Sequence, residues 1–249
     1  MLRDCAELGK ELIVESRCEQ LTEEKLAWAT SINSTFTVAI GLEAYDDEVL
    51  RFHVNKGFTT KSWDRAVANL EKFNLRIKTY LMFKPPFMNE ADALDHCVKW
   101  IGAVAERSDE ISVNPMNIQR GTVIDRLHRH NEYRPPWLWS LVEMIRQAHP
   151  LIHPEGGVNG DPDQVSRLIV HPTAGGKIRG SHNCGACDAE VVAAIERYAV
   201  SGSLLEFDGL SCECETVWRN EVNLERKLPL PLGLSKPRRG SVIERLRSP

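Results

Sequence analysis

The feature that most constrains this chain is an alternation of short apolar, β-branched runs with longer stretches at helical spacing. Apolar runs at 12–14, 36–40, 75–83 and 111–113 predict strands, and a later run at 166–171 is a further candidate. Stretches from 23 onward and at 63–73, 90–107 and 135–148 predict helices between and after them. Strands that alternate with helices in this way are typical of βα units that build a parallel sheet.

The lack of a nucleotide-binding fingerprint narrows the fold class further. No Gly-x-Gly-x-x-Gly sequence follows any predicted strand, so a dinucleotide-binding Rossmann domain is a weak interpretation. The four early units favour a barrel or partial barrel slightly over a doubly wound sheet. We therefore expect an α/β fold with a partial TIM-like βα barrel over residues 1–150.

Polar side chains follow the predicted strands at the points where they end. They are Glu15 and Arg17 after the first strand, Glu43 after the second, Lys84 after the third, and Asn114 and Asn117 after the fourth. In parallel α/β folds, ligands bind at the carboxyl ends of the strands, so these residues predict one shared site. Each of them alone is equally compatible with a strand terminator that faces water.

The amino-acid composition changes after residue 150. Residues 152–163 are rich in Gly, Pro and Asp and predict a loop or boundary, and 171–182 form a Gly-rich basic loop. That basic loop is not a Walker A motif, and phosphate binding and a plain surface loop are both open interpretations. A helix is predicted at 188–201. We expect a small Cys-rich domain over 151–225 and a basic, Pro-rich tail over 226–249.

The cysteine content indicates a reducing compartment. The chain has seven cysteines, an odd number, and neither a signal-peptide core nor an apolar run long enough to cross a membrane. Disulfides are therefore not expected, and the cytoplasm is the expected location. Cys5, Cys18 and Cys97 are scattered, and we interpret them as small buried hydrophobic residues.

The other four cysteines form two close pairs. Cys184 and Cys187 stand in a CxxC directly before the predicted helix, and Cys212 and Cys214 form a CxC after it. Two such pairs can surround a tetrahedral metal ion, because each pair spans one edge of the tetrahedron. Zinc and an iron–sulfur cluster both accept four thiolates. The alternatives are unrelated thiols or a redox CxxC, although a Gly-rich loop rather than a strand precedes this one.

Several phrases of the sequence resemble a known enzyme family. Gly-Leu-Glu at 41–43, followed by 46–50 and 55–59, is similar to radical S-adenosylmethionine (SAM) enzymes of the Elongator catalytic subunit and methylthiotransferase type. The phrases at 14–17, 80–87, 112–122, 133–140 and 179–184 resemble the archaeosine biosynthesis radical SAM proteins more closely. The resemblance covers roughly residues 10–220, and its most specific phrases surround Lys84, Asn114 and Trp137.

This resemblance implies a tRNA-modifying lyase. In such an enzyme a 4Fe-4S cluster cleaves SAM reductively, and the resulting radical acts on a lysine-bearing 7-deazaguanine of tRNA to give archaeosine. It further implies that one set of residues lies near SAM and that three cations face phosphate or substrate. The first set is Glu15, Ser16, Arg17, Glu43, Asn114 and Asn117, and the cations are Lys84, Arg120 and Arg134. The enzyme that attaches lysine to the base is the implied partner.

One departure from the family pattern is large. The family binds its cluster through a CxxxCxxC loop after the first barrel strand, and this sequence contains no such motif. We therefore expect a fragment or half of a split enzyme that lacks two βα units, works with a separate chain carrying them, and is inactive alone. The alternative is a non-catalytic, metal-stabilised module that binds RNA or protein. The net charge of −4 mildly disfavours broad nucleic-acid affinity.

Overall fold

The predicted alternation of strands and helices is present in the structure, a computed structural model that describes residues 2–7, 10–153 and 166–227. The strands are β1 (Ile13–Ser16), β2 (Thr37–Glu43), β3 (Arg76–Phe83), β4 (Glu110–Pro115) and β5 (Arg167–Val170). The helices are α1 (Leu2–Glu7), α2 (Glu23–Ile32), α3 (Asp47–Val49), α4 (Thr60–Lys72), α5 (Glu90–Ala105), α6 (Val123–Arg129), α7 (Leu138–Ile152), α8 (Asp188–Ser201) and α9 (Glu213–Lys227). A π-helical turn, Leu50–Val54, follows α3 directly.

The five described strands join one parallel sheet, and their order in the sheet follows their order in the chain. β1 and β5 are its edges. The prediction of an α/β fold with a parallel sheet is confirmed. Because every strand runs in the same direction, the carboxyl ends of all of them meet along one edge of the sheet.

The helices begin where the sequence supplies an N-cap. Thr22, Asn89 and Thr122 each accept a hydrogen bond from a backbone N–H in the first turn of α2, α5 and α6 respectively. Each helix then buries an apolar face; α4, for example, buries Trp63 and Leu70 completely. Local capping and apolar periodicity therefore account for the positions of these helices.

The two faces of the sheet differ in chemistry. Along β3, Ile77 and Leu81 are buried, whereas the alternate residues Lys78 and Tyr80 are only half-buried. A strand directs successive side chains to opposite faces, so the two sets lie on different sides of the sheet. Helices α4 and α5 pack against β3, and on the polar face Lys78 forms an ion pair with Glu110. The sheet therefore has one face for the core and one polar face.

Residues beyond 150 share the sheet and the core with the residues before them. β5 pairs with β4, α8 packs against β5 and α7, and α9 packs against α5. One hydrophobic cluster contains Trp100 and Ile145 together with Ile195 and Trp218. The predicted division into 1–150 and 151–225 stays a prediction, and any boundary there is crossed by a continuous core.

Two predicted segments fall mostly outside the described residues. They are the loop at 152–163 and the tail at 226–249, of which the structure describes 152–153 and 226–227. Arg226 and Lys227 are the last residues of α9. Within the described residues, no helix is both long and apolar enough to cross a membrane.

Candidate functional site

A polar cleft of about 530 Å³ lies at the carboxyl edge of the sheet. Its lining residues come from the ends of β1 to β4 and from the turn before α4: Glu15, Ser16, Arg17, Ala39, Gly41, Glu43, Lys56, Tyr80 and Asn114. Five of the six residues predicted to lie near SAM therefore meet in one place, as a parallel topology requires. The sixth, Asn117, lines a neighbouring cleft.

The end of β2 is bent where Glu43 enters the cleft. The register between β2 and β3 shifts between Gly41 and Glu43, and Glu43 has a left-handed backbone with a φ of 73°. A Cβ atom at Gly41 would lie 3.1 Å from Glu43 Oε1 and 3.2 Å from Lys56 Nζ. Glycine therefore leaves the space that these two charged groups need. Residues other than glycine rarely adopt the left-handed conformation, and such strained positions concentrate at functional sites.

Glu43 and Lys56 form an ion pair in which Oε1 and Nζ are 2.8 Å apart. Their side chains are 19% and 20% exposed, so water and ligands can reach both groups. Lys56 Nζ also lies 5.7 Å from the centre of the Phe58 ring. Sequence reasoning missed Lys56 as a site residue. The signal that could have found it is the Asn-Lys-Gly turn at 55–57, in which Asn55 is left-handed.

The other groups of the cleft are held by longer or more exposed contacts. Tyr80 donates from Oη to Glu15 Oε1 at 3.2 Å, and burial raises the pKa of Tyr80, which keeps it a neutral donor. Arg17 is exposed and donates to Glu19 at 2.9 Å and to the Lys56 carbonyl at 3.4 Å. The cleft thus offers acceptors for hydroxyl and amino groups and donors for a carboxylate or phosphate.

Lys84 does not line this cleft. Its Nζ lies 2.6 Å from Glu90 Oε2, and the two side chains are 6% and 0% exposed. Glu90 Oε1 accepts the backbone N–H of Trp137 at 2.8 Å, and Tyr133 donates its hydroxyl to the Lys84 carbonyl at 2.8 Å. The pair therefore connects the end of β3 to the starts of α5 and α7 from within the protein.

The two predicted arginines occupy different environments. Arg134 donates to the carbonyls of Pro135 and His182 at 2.9 and 2.8 Å, and its guanidinium lies 3.8 Å from the centre of the Trp137 ring. Burial lowers the pKa of Arg134. Arg120 is exposed in the loop after β4. The substrate roles predicted for the three cations stay predictions.

The four late cysteines converge on one point. Their sulfurs lie 4.0 Å apart for Cys184–Cys187, 3.7 Å for Cys184–Cys212 and 3.6 Å for Cys187–Cys214, and all four are within 4.8 Å of one another. The pairs stand at the N-terminal ends of α8 and α9, where the helix dipole favours a thiolate. The cluster could hold a metal ion.

The surroundings of the four sulfurs are unequal. Hydrogen bonds from the backbone N–H groups of Cys187 and Ala186 lower the pKa of Cys184 to about 7. Burial raises the pKa of Cys214 to about 12, although Trp139 donates its indole N–H to that sulfur at 3.3 Å. A bound dication would overcome this penalty, because metal ligation displaces the thiol proton.

The Gly-rich loop at 171–182 makes close contacts within itself and with the segment after β4. A Cβ atom at Gly180 would lie 2.2 Å from a backbone carbonyl oxygen of the same loop, so only glycine fits there. Arg179 donates to the Ile118 carbonyl at 3.0 Å and to Asp125 at 2.7 Å, and the second bond lowers the pKa of Asp125. Of the two interpretations left open for this loop, phosphate binding would thus have to use a cation that is already engaged within the protein.

Two archaeosine synthase beta subunits are among the proteins similar to this chain. It is 34% identical to archaeosine synthase subunit beta of Methanosarcina acetivorans over 216 residues, which cover 86% of this chain and 59% of that protein. It is 33% identical to the subunit of the same name from Thermococcus kodakarensis over 212 residues, or 84% of this chain and 62% of that protein. The chain therefore spans about three-fifths of the length of these relatives. No protein-family profile matches it.

A solved structure shares the fold. The archaeal Methanocaldococcus infernus Elp3 with an N-terminal deletion (1–46) superposes with a TM-score of 0.56 and 17% identity, over 81% of this chain and 43% of that one. This likeness shows a common α/β architecture. The resemblance to archaeosine biosynthesis proteins predicted from the sequence is confirmed by the two relatives.

Proposed function

We propose, from its sequence similarity to archaeosine synthase beta subunits, that this chain is the SAM-binding part of a radical SAM enzyme that modifies tRNA. The base acted on is the lysine-bearing 7-deazaguanine of the family resemblance, and the product is archaeosine. The enzyme that attaches lysine to the base acts before it and is a candidate partner subunit. With tRNA as the substrate, the proposed location is the cytoplasm.

The observation that carries this proposal is the meeting of Glu15, Arg17 and Glu43 in one polar cleft. SAM presents ribose hydroxyls and an amino group, which carboxylates accept, and a carboxylate, which a guanidinium binds through paired donors. Asn114, at the end of β4, adds an amide to the same cleft. In this arrangement the two glutamates orient the sugar and amino group, and Arg17 holds the carboxylate.

The residues that line the cleft do not fit an iron–sulfur cluster. None of them is a cysteine, and the sequence contains no CxxxCxxC motif. The late cysteines do not replace it, because their sulfurs surround a single point, whereas the four irons of a cubane hold their thiolates farther apart. We propose that this chain's own residues hold no cluster and that another polypeptide segment, on a separate chain or elsewhere in a complete enzyme, supplies the cluster ligands.

For the four cysteines we propose one zinc ion. Ligands 2.3 Å from a tetrahedral zinc lie about 3.8 Å from one another, and the closest sulfur pairs are 3.6 to 4.0 Å apart. Four protein ligands leave no open position, which is typical of a structural site. Metal analysis of the purified protein is expected to give one zinc per chain. Several irons with sulfide, or no bound metal, would contradict this assignment.

Calorimetric titration with SAM tests the cleft. The wild-type chain is expected to bind SAM, and Glu43→Gln is expected to weaken binding about tenfold or more, since the negative charge that strengthens its hydrogen bonds is lost. Glu190→Gln is the matched control, because Glu190 is exposed on α8 away from the cleft residues. Unchanged affinity in Glu43→Gln would contradict the proposed site.

Product analysis tests the reaction. With SAM and a reductant, this chain alone is expected to yield no 5′-deoxyadenosine, and addition of a polypeptide that carries CxxxCxxC and the remaining strands is expected to restore it. The cysteine-free cleft also agrees with the alternative, a non-catalytic, metal-stabilised module that binds RNA or protein. That alternative predicts that the chain does not bind SAM, either alone or with the added polypeptide.

A further inference from the structure

A second cleft, lined by aromatic and amide side chains, opens beside the polar one. It encloses about 570 Å³, and its lining includes Phe52, Phe87, Met116, Asn117, Gln119 and Ile124. The π-helical turn Leu50–Val54 supplies one wall, and the segment after β4 supplies another. Lys56 and Asn114, which lie close in sequence to these two stretches, line the polar cleft, so the two clefts are neighbours.

The aromatic wall combines an exposed ring, Phe52, with a half-buried one, Phe87. Phe52 is 37% exposed, and the guanidinium of Arg51 lies 5.0 Å from the centre of its ring. Phe87 has a left-handed φ of 68°, which is rare for a bulky residue, and its ring meets that of His53 edge-on at 6.2 Å. His53 is itself fixed by a 2.7 Å hydrogen bond from Nδ1 to the Pro86 carbonyl. Strained positions of this kind are found more often at functional sites than elsewhere.

Amide groups line another part of the same cleft. Gln119 donates from Nε2 to Asn117 Oδ1 at 2.6 Å, and this bond uses neither the amide nitrogen of Asn117 nor the amide oxygen of Gln119. An amide donor and an amide acceptor match the hydrogen-bonding edge of a nucleobase, and aromatic rings match its faces. The cleft therefore combines the two kinds of contact through which proteins bind unpaired bases.

We propose that this cleft binds a single unpaired base of RNA, stacked on Phe52 with its polar edge toward Asn117 and Gln119. The proposal deepens the proposed function and rests on it, because tRNA is the molecule that presents such a base. The site residues predicted from the resemblance include neither Phe52 nor Gln119, so this cleft adds residues to them. It also gives Asn117 a role in holding the base instead of SAM.

Charge favours a nucleotide chain as the occupant. Arg51 lines the cleft and Arg120 directly follows Gln119, and both arginines are exposed where phosphates would pass. SAM also carries a purine base but has no phosphate for these arginines to bind. A further cleft of about 740 Å³ also includes Phe52, but its Asp47 and Glu48 carboxylates would repel phosphate. The base is therefore assigned to the cleft that Asn117 lines and not to the cleft that Asp47 and Glu48 line.

Fluorescence anisotropy with two labelled probes tests the proposal on the full chain. One probe is a six-nucleotide single-stranded RNA, and the other is a chain of abasic sugar phosphates of the same length. The RNA is expected to bind more tightly than the abasic chain, and Phe52→Ala is expected to weaken RNA binding about tenfold. Phe52→Tyr is expected to keep the affinity, since it retains the ring.

The control for Phe52→Ala is Trp28→Ala, which removes a 62% exposed aromatic side chain from α2 and is expected to change nothing. Equal binding of the two probes would overturn the proposal, and so would an unchanged affinity in Phe52→Ala. Displacement of the RNA by excess SAM would overturn it too, because the cleft would then hold the adenine of SAM.

A third measurement separates this proposal from the proposed function. Full-length tRNA is titrated against the wild-type chain and Phe52→Ala under the same salt conditions. If tRNA binds and Phe52→Ala leaves that affinity and the hexanucleotide affinity unchanged, only the base cleft is wrong. If the hexanucleotide binds through Phe52 but tRNA does not bind, the base cleft stands and the proposed function is wrong.

Discussion

Two lysine–glutamate pairs near the carboxyl edge of the sheet have similar lengths and opposite surroundings. Lys84 and Glu90 are 2.6 Å apart and almost fully buried, whereas Lys56 and Glu43 are 2.8 Å apart and about one-fifth exposed. Removing one partner of a buried pair leaves an unpaired charge in the interior, but an accessible pair contributes at most about 1 kcal/mol. Similar distances therefore accompany different roles: the first pair holds three elements together, and the second leaves both groups within reach of a ligand.

The largest expected effect comes from breaking the buried pair. Lys84→Met is expected to lower the free energy of unfolding by about 3–5 kcal/mol, because the Glu90 carboxylate stays buried without its cation. Urea denaturation followed by circular dichroism measures the change. A loss below about 1 kcal/mol would show that burial does not distinguish the two pairs.

Neutralising the remaining charge sharpens the same comparison. Adding Glu90→Gln to Lys84→Met is expected to recover about 1–3 kcal/mol, because a buried amide costs less than a buried, unpaired carboxylate. The amide oxygen can still accept the backbone N–H of Trp137. Denaturation of the single and double variants gives the difference. A double variant less stable than Lys84→Met would show that charge is not the cause of the loss.

The accessible pair is expected to respond weakly to the same chemical change. Lys56→Met is expected to alter the free energy of unfolding by no more than about 1 kcal/mol, since Glu43 stays in contact with water. It is the matched control for Lys84→Met, measured in the same denaturation series. A loss as large as that of Lys84→Met would give the cleft pair a structural role and break the comparison.

A third pair, Arg179 with Asp125, gives the smallest effect and depends on pH. The hydrogen bond from Arg179 holds the pKa of Asp125 below its usual value near 3.8. The stability gained is therefore present above the unfolded-state pKa and is lost as pH falls through the lower folded-state pKa. Once the intrinsic pH dependence of amide exchange is divided out, the protection of the segment at 116–133 against hydrogen exchange is expected to fall below about pH 4. Asp125→Asn is expected to remove that dependence, and a retained pH response would contradict the assignment.

Most of the fold could be predicted from the sequence because its strands and main helices carry regular apolar patterns. Helix α9 could not, because residues 213–227 are mostly charged or polar and only Cys214, Trp218 and Val222 are buried. These three stand four residues apart. An apolar pattern of only three residues is too weak to predict a helix in a segment that is otherwise polar. The cysteines at its start also indicated metal binding more strongly than a helix terminus.

Part of the candidate site could likewise be predicted from the sequence, and part could not. Topology alone places the carboxylates of Glu15 and Glu43 together with Asn114, since parallel strands end at one edge. Topology does not determine whether a lysine at that edge turns toward water or inward. Lys84 turns inward because Glu90, in the first turn of α5, lies within its reach, and that contact depends on how α5 packs.

The strand order has a consequence for how the chain folds during synthesis. Because each strand pairs with the one that precedes it, every βα unit can dock as soon as the ribosome releases it. Helix α9 is different, since it packs against α5, which is made much earlier. The second thiol pair lies at the start of α9, so the four sulfurs come together only once this helix has emerged. A metal ion could then be held by all four thiols only after α9 has emerged, and a chain released before that point would carry a single thiol pair.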